Sequence, residues 1–228
     1  MNLKKHSLTF FLLFGLIFGV NACQTEEKPT ELVDQPENKE QPSLEKKVDL
    51  DTLQRAYFAS GCFWCVEAIF ESVKGVHEVY NGYSGGHSEN PTYEDSNTGL
   101  TGHAEAVEIL YDSTVISFKQ LVEVYFGSQE IEQVNGQGPD HGSQYRSIAF
   151  YQTEAEKAAI EEKIASLKKD GFNVASEVKP FEKFWMGEDY HQNYERLHPN
   201  QGYIQSVSIP RLKKFKAKFP QLLKESKH

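Results

Sequence analysis

Cysteine is scarce in this chain: three in 228 residues, at Cys23, Cys62 and Cys65, with none in the long stretch that follows. That excludes a disulfide-stapled scaffold, because a bridge between Cys62 and Cys65 would close too short a loop to restrain the unfolded chain. The pair is therefore chemical or incidental, not structural. Positive charge is also short. Lys and Arg total 24 against 33 Asp and Glu, a formal charge of −9, which argues against nucleic acid as a partner. The Lys-rich tail 213–227 does not restore that role, since Leu212, Phe215, Phe219 and Leu222 interleave with it as in an amphipathic segment. The apolar run 8–20 falls short of the roughly 20 residues that a membrane-spanning helix needs. There is no internal repeat. His87, His103, His141 and His191 are dispersed, with no His-x-x-x-His on a helix, and one pair of cysteines is at most half of a structural zinc site. Those histidines read as polar surface, and no metal is expected.

The amino terminus carries Lys4 and Lys5, the apolar run, then Val20-Asn21-Ala22-Cys23, which is export-signal architecture. A cysteine at the cleavage point resembles a bacterial lipobox and predicts lipid attachment at Cys23. Asn21 is not the usual small residue there, so an uncleaved anchor or plain cleavage stand as alternatives, and each still exports the chain. Residues 24–50 are rich in Glu, Lys, Pro and Gln and nearly without aromatics, too polar to offset the entropy of ordering. The expected organisation is a signal peptide at 1–22, a flexible tether at 23–50 and one globular domain at 51–228, a monomer held on a membrane of the bacterial cell envelope through its lipid.

Periodicity in the domain predicts a strand at 55–60, a helix at 64–73, strands at 76–83 and 104–111, and a helix at 117–126 capped by Ser117. A strand at 147–151, a long helix opened by Thr153 and Glu156, and a last strand at 174–179 follow. Gly-rich loops are expected at 84–101 and 127–144. This order suits an α+β two-layer sandwich with a ferredoxin-like core. Residues 182–197 are expected to be helical around Tyr190–Tyr194, and the rest an irregular C-terminal wrap.

Cys62 sits where a strand ends and a helix begins, beside unpaired backbone N–H groups and the positive end of the helix dipole, which favour thiolate over thiol. A buried, inert thiol is the plainer alternative. Phe63 and Trp64 beside it could line an apolar pocket for a small methyl-bearing group, though paired aromatics also serve as plain core. Glu105 opens a strand that otherwise looks buried, and a half-buried carboxylic acid near a thiolate would have its pKa raised and could deliver a proton at neutral pH. The segments 90–94 and 137–146 are dense in polar and aromatic residues where a core would not want them.

Gly61-Cys62-Phe63-Trp64, Gly82-Tyr83-Ser84-Gly85-Gly86, Asn90-Pro91-Thr92-Tyr93-Glu94, Thr101-Gly102-His103-Ala104-Glu105, Gln137-Gly138-Pro139-Asp140 with Gln144-Tyr145-Arg146-Ser147, and Tyr190-His191-Gln192 stand in the order of the peptide methionine sulfoxide reductase A family, which this sequence resembles over 56–202. The resemblance makes 51–228 the catalytic domain of a reductase acting on the S epimer of methionine sulfoxide, free or in peptides, without metal or organic cofactor. It implies Cys62 as nucleophile, Phe63 and Trp64 as the methyl pocket, Glu105 as proton donor, Tyr93 and Tyr145 as the hydroxyls that hold the sulfoxide oxygen, and Asp140 as a support of that network. The product on the enzyme would be a Cys62 sulfenic acid.

Two departures stand out. Many members resolve the sulfenic acid with cysteines near the C-terminus, whereas here Gly202-Tyr203 is followed by Ile204. The resolving cysteine must be Cys65 or come from outside; residues three apart at a helix start share a face, which favours Cys65 and a disulfide recycled by a thioredoxin-like partner. Gln129-Glu130-Ile131-Glu132 and Gly136 also differ from relatives, so the rim of the site is expected to differ. A thiol oxidoreductase of thioredoxin type is the main rival. In that fold Trp usually precedes the first cysteine, while here Trp64 precedes the second.

Overall fold

The computed structural model describes residues 50–225. The expected signal peptide, Cys23 and the tether up to residue 49 lie outside the described residues.

After a short turn at Leu50–Thr52 come strand β1 (Gln54–Ser60), helix α1 (Phe63–Glu71), β2 (Val76–Ser84), the single turn α2 (Tyr93–Asn97), β3 (Ala104–Tyr111) and α3 (Phe118–Gly127). A two-residue ribbon, β4 (Gly136–Gln137) and β5 (Asp140–His141), precedes β6 (Ser147–Tyr151), α4 (Glu154–Lys169), β7 (Glu177–Pro180) and β8 (Phe184–Met186). The chain ends in α5 (Tyr194–Leu197), a π-helical stretch Ile204–Ser208 and α6 (Ile209–Lys218).

Six strands form one sheet in the order β7-β6-β1-β3-β2-β8. Its four inner strands are antiparallel throughout, and α1 and α3 supply the crossovers, which is the ferredoxin-like arrangement. β7 joins parallel to β6, because α4 returns the chain over the sheet. Alternation along β1 explains the layering. Ala56 and Phe58 face the helices and join α1 residues Val66, Ile69 and Phe70 in the main core. Tyr57 and Ala59 face the other side, where Phe181 and Phe184 cover them, the Tyr57 and Phe181 rings stacking at 3.6 Å. Each inward ring of this size is worth about 2–3 kcal/mol of burial.

Local signals explain the helix starts. Ser117 and Gln120 exchange hydrogen bonds as a capping box, and Thr153 accepts from the backbone N–H of Glu156. The loop expected at 84–101 holds a helical turn, because Thr92 and Asp95 form a capping box that needs no hydrophobic periodicity. Residues 182–197 are less helical than expected. They form β8, a short 3-10 turn Asp189–His191 and α5; β8 is an edge strand whose three residues are too few to show alternation. Gly82 opposite it is required by contact, since a Cβ there would lie 2.2 Å from the Trp185 carbonyl oxygen. The C-terminal wrap is more regular than expected. α6 continues directly from the π-helical stretch, Pro210 follows that stretch, and Phe215 anchors the helix in the core.

Candidate active site

The nucleophile turn is built by two constraints. Gly61 adopts a φ of +84°, and a Cβ there would stand 2.4 Å from Gln137 Cβ, so only glycine lets β1 break into α1 at this point. Cys62 then takes the N-cap position without using its side chain as a cap, leaving the thiol at the helix N-terminus. The backbone N–H of Phe63, one of the donors that a helix start leaves unpaired, donates to Glu105 Oε2 at 3.0 Å. Glu105 comes from β3, in register with Tyr83 of β2.

Burial dominates the electrostatics. Glu105 is 2% exposed, and desolvation carries its pKa up to about 8, against the pull of the Phe63 N–H and with the repulsion of Asp140 and Cys65. It is therefore a protonated acid at neutral pH. Cys62 and Cys65 are both free, buried thiols that hydrogen-bond to each other. The hydrogen bond from Cys62 lowers Cys65 to about 6, with help from Arg211, while burial raises Cys62 well above the usual thiol range. The pair thus carries one negative charge and one shared proton above that pH.

Tyr93 and Tyr145 reach the same place. Both are raised by burial and then by the charges of Glu105 and Cys62. Tyr93 opens α2 and is held there by Glu188, whose Oε1 accepts its N–H at 2.9 Å and whose Oε2 accepts the Tyr83 hydroxyl at 2.8 Å. Asp140, on β5, accepts from the Tyr203 hydroxyl at 2.5 Å, and the same hydroxyl lies 3.7 Å from Cys65 Sγ. The structure thus brings Cys62, Cys65, Phe63, Glu105, Tyr93, Tyr145 and Asp140 into one constellation.

Phe63 and Trp64 form an aromatic wall with partners that the sequence did not single out. The Trp64 indole stacks on Tyr194 at 3.7 Å and meets Tyr203 edge-on at 6.1 Å. Its Nε1 donates to His191 Nδ1 at 3.1 Å, placing the His191 proton on Nε2, a buried atom with no hydrogen-bond partner among the described residues and with Glu188 Oε2 3.8 Å away. His191 and His103 correct the reading of the histidines as surface. They are 1% and 3% exposed, and His191 lies 4.8 Å from the Phe63 ring. In the sequence His191 is marked only as a dispersed histidine and within Tyr190-His191-Gln192, while Tyr194, Tyr203 and Arg211 carry no role there because neither the expected helix at 182–197 nor the irregular wrap after it points toward Cys62. Gly202-Tyr203 was visible only for the cysteine it lacks. No group of three or more His, Cys, Asp or Glu positioned to hold a metal ion occurs among the described residues.

The altered segment 129–136 packs against Gln137, Ser147 and α6, away from the aromatic wall. Gln129 accepts from Ser147 Oγ at 2.6 Å, and Glu130 pairs with Lys214 of α6 at 2.9 Å. With Ile131, Phe172, Phe215 and Arg211 this segment lines a cavity of about 780 Å³ that reaches Tyr203 and Asp140.

The family model for peptide methionine sulfoxide reductase matches residues 54–223. A curated relative from Nautilia profundicola, peptide methionine sulfoxide reductase MsrA, is 47% identical over 72% of this chain and 94% of its own length. An MsrA from Saccharolobus solfataricus is 44% identical over 75% of this chain and 98% of its own length. Among solved structures, methionine sulfoxide reductase A of Corynebacterium diphtheriae is similar at a TM-score of 0.60 and 30% identity, covering 65% of this chain and 76% of that one. Mxr1 of Saccharomyces cerevisiae in reduced form is similar at 0.61 and 28% identity, covering 68% and 91%. On the match across its whole folded domain, with the thiol, the buried acid and the tyrosines in one place, the chain belongs to the peptide methionine sulfoxide reductase family.

Proposed function

We propose that this chain reduces the S epimer of methionine sulfoxide, free or in proteins, by a two-thiol cycle confined to the first turn of α1. The observation that carries the reading is a buried Glu105, hydrogen-bonded at the head of α1, and a second buried thiol three residues after Cys62. Tyr93 and Tyr145 hold the sulfoxide oxygen, and Phe63 and Trp64 receive the methyl group. Cys62 passes its proton to the Cys65 thiolate and attacks the sulfoxide sulfur. Glu105 protonates the oxygen as the S–O bond breaks, and the oxygen passes to Cys62 Sγ as the transient bond between Cys62 and the substrate sulfur opens, so methionine leaves with that electron pair and Cys62 becomes a sulfenic acid. Cys65 then attacks Cys62 Sγ, expelling the oxygen as water and forming a disulfide. A thioredoxin-like dithiol protein returns both thiols, so each cycle consumes one sulfoxide and two electrons. Asp140 keeps the Tyr203 hydroxyl directed at the pair.

A stereospecific assay on the isolated chain tests this. Wild type with no reductant should release one methionine per chain and yield a Cys62–Cys65 disulfide by mass spectrometry. Cys65→Ser should release the same single equivalent and stop at a Cys62 sulfenic acid, and Cys62→Ser should release none. Sulfoxide reduction by Cys62→Ser at the wild-type rate overturns the assignment.

The place of action follows from the amino terminus. Lys4, Lys5, the apolar run and Ala22-Cys23 support export and lipid attachment at Cys23, so the proteins repaired are those of the cell envelope. Metabolic labelling with a radiolabelled fatty acid should mark the wild type and not Cys23→Ser; equal labelling of both removes the anchor.

A further inference from the structure

Tyr145 stands on a short 3-10 turn, Ser143–Tyr145, between the β4–β5 ribbon and β6. Glu105, whose charge Tyr145 senses, is held by the sheet in register with Tyr83, but the turn itself belongs to no sheet. Its entry is set by Gly142, at φ +138°, and its exit by Ser147, which pairs with Ser60 of β1. The turn packs against β3, yet neither end fixes how far from β3 it stands.

Arg146, directly after Tyr145, spans that gap with a side chain only 12% exposed. Nη1 donates back into the turn, to the Ser143 carbonyl at 2.8 Å. Nη2 donates to the Gly102 carbonyl at 2.8 Å and, at a longer 3.5 Å, to the Gly85 carbonyl. Gly102, at φ +71°, leads into β3 just ahead of Glu105, and Gly85 follows the last residue of β2. Nε donates to Glu177 Oε1 on β7 at 3.0 Å, and Lys179 holds the other oxygen of that carboxylate at 2.7 Å. A guanidinium is planar and fixes its donors relative to one another, so one rigid group ties the turn, the lead-in of β3 and β7 together. Among the described residues no other hydrogen bond joins the turn to β2, β3 or that lead-in; the bond from Gln144 to Asn97, at 3.4 Å, goes to α2.

We propose that Arg146 is a positioning residue for the reduction, a rigid clamp that sets the Tyr145 hydroxyl at the distance from Glu105 at which one sulfoxide oxygen can meet both. This rests on Tyr145 as a holder of that oxygen. The oxygen accepts from the Tyr145 hydroxyl and takes its proton from Glu105, so both donors must converge on one atom. Pairing of β3 with β2 already fixes Glu105, so a shift of the turn moves Tyr145 alone. In such a site a misplacement of about 1 Å costs up to about a hundredfold in rate. Arg146 itself touches no reacting atom. Lysine in its place would keep a charge near Glu177 but could not bond Ser143, Gly102 and Glu177 together, because an ammonium lacks the spaced fork.

The test is a double-mutant cycle on the full chain, read as the single-turnover rate of methionine release at saturating sulfoxide. Tyr145→Phe should slow release by about tenfold or more, and Arg146→Lys by about tenfold. In the Tyr145→Phe background Arg146→Lys should cost less than about twofold, since the hydroxyl it positions is already gone. Glu177→Ala removes the clamp's anchor on β7 and leaves its carbonyl bonds, so it should cost less than Arg146→Lys and show the same coupling. It carries the cycle should Arg146→Lys fail to fold. Losses that multiply in the double variant, or an Arg146→Lys rate equal to wild type, overturn the proposal and leave the role of Tyr145 standing. A Tyr145→Phe rate equal to wild type overturns both, and that outcome is read from the single variant before the cycle is built.

Discussion

At Glu105, burial and hydrogen bonding pull in opposite directions. Desolvation raises its pKa to about 8, while the Phe63 N–H, in the first turn of α1, favours the carboxylate. Burial wins, so the acid holds its proton at neutral pH and gives it up once the departing oxygen needs it. The dithiol titrates on the other side, with Cys65 at about 6. The sign of the pH dependence follows. Below about 6 the pair gains its second proton and loses its nucleophile; above about 8 Glu105 loses the proton it must donate. Single-turnover methionine release should therefore rise through the first value and fall through the second. Glu105→Gln accepts the Phe63 N–H equally well but donates no proton, so it should lose 10²- to 10³-fold in rate, roughly the usual worth of a general acid, and lose the alkaline fall. A stopped-flow profile in which Glu105→Gln keeps that fall would assign the alkaline limb to another group.

At the scale of elements, what was legible in the sequence was whatever repeats or caps. β1, α1, β2, β3 and α3 announced themselves by alternation, by helical spacing and by Ser117, and the strand-to-helix junction located Cys62 before any coordinates. Glu105 was legible for a related reason: a charge at the head of an apolar strand has to be explained by chemistry. After β7 the signals were weaker and in part misleading. β8 is too short to alternate, and although Leu212 and Phe215 marked an amphipathic segment, the π-helical stretch Ile204–Ser208 breaks the period that would have carried it back to Tyr203. Yet that region supplies Tyr203 and Arg211 to the dithiol and Tyr194 and His191 to the aromatic wall. Its attachment is also non-local. Glu67 of α1 accepts from the N–H groups of Asn193 at 2.7 Å and Tyr194 at 3.3 Å, with Asn193 in the left-handed region at φ 57°. A single carboxylate thus fixes the start of α5 and, through Tyr194, the face of Trp64. Nothing in the spacing of Glu67 along the sequence points to a partner 126 residues away.

Taken as a whole, the molecule buries two carboxyl groups in the same half of the fold, and its stability must record that. Desolvation raises Glu67 to about 7 and Glu105 to about 8, from an ordinary value of 4.5. A carboxyl group whose folded pKa is raised contributes stability that is fully present below its unfolded pKa and is lost as pH rises through the folded one. For these two the loss runs from about pH 5 to just above 8. Cys65 acts in the reverse sense and gains over part of that window, so the wild-type curve alone would mix the effects. A comparison with Glu67→Gln/Glu105→Gln separates them, because the amides accept hydrogen bonds at both positions and do not titrate. The stability of the double variant relative to wild type should climb by on the order of 5 kcal/mol between pH 5 and pH 9, as measured by urea unfolding of residues 50–228. A difference that stays flat across that range would mean that both carboxyls ionise at ordinary values, and the protonated acid at Cys62 would fall with it.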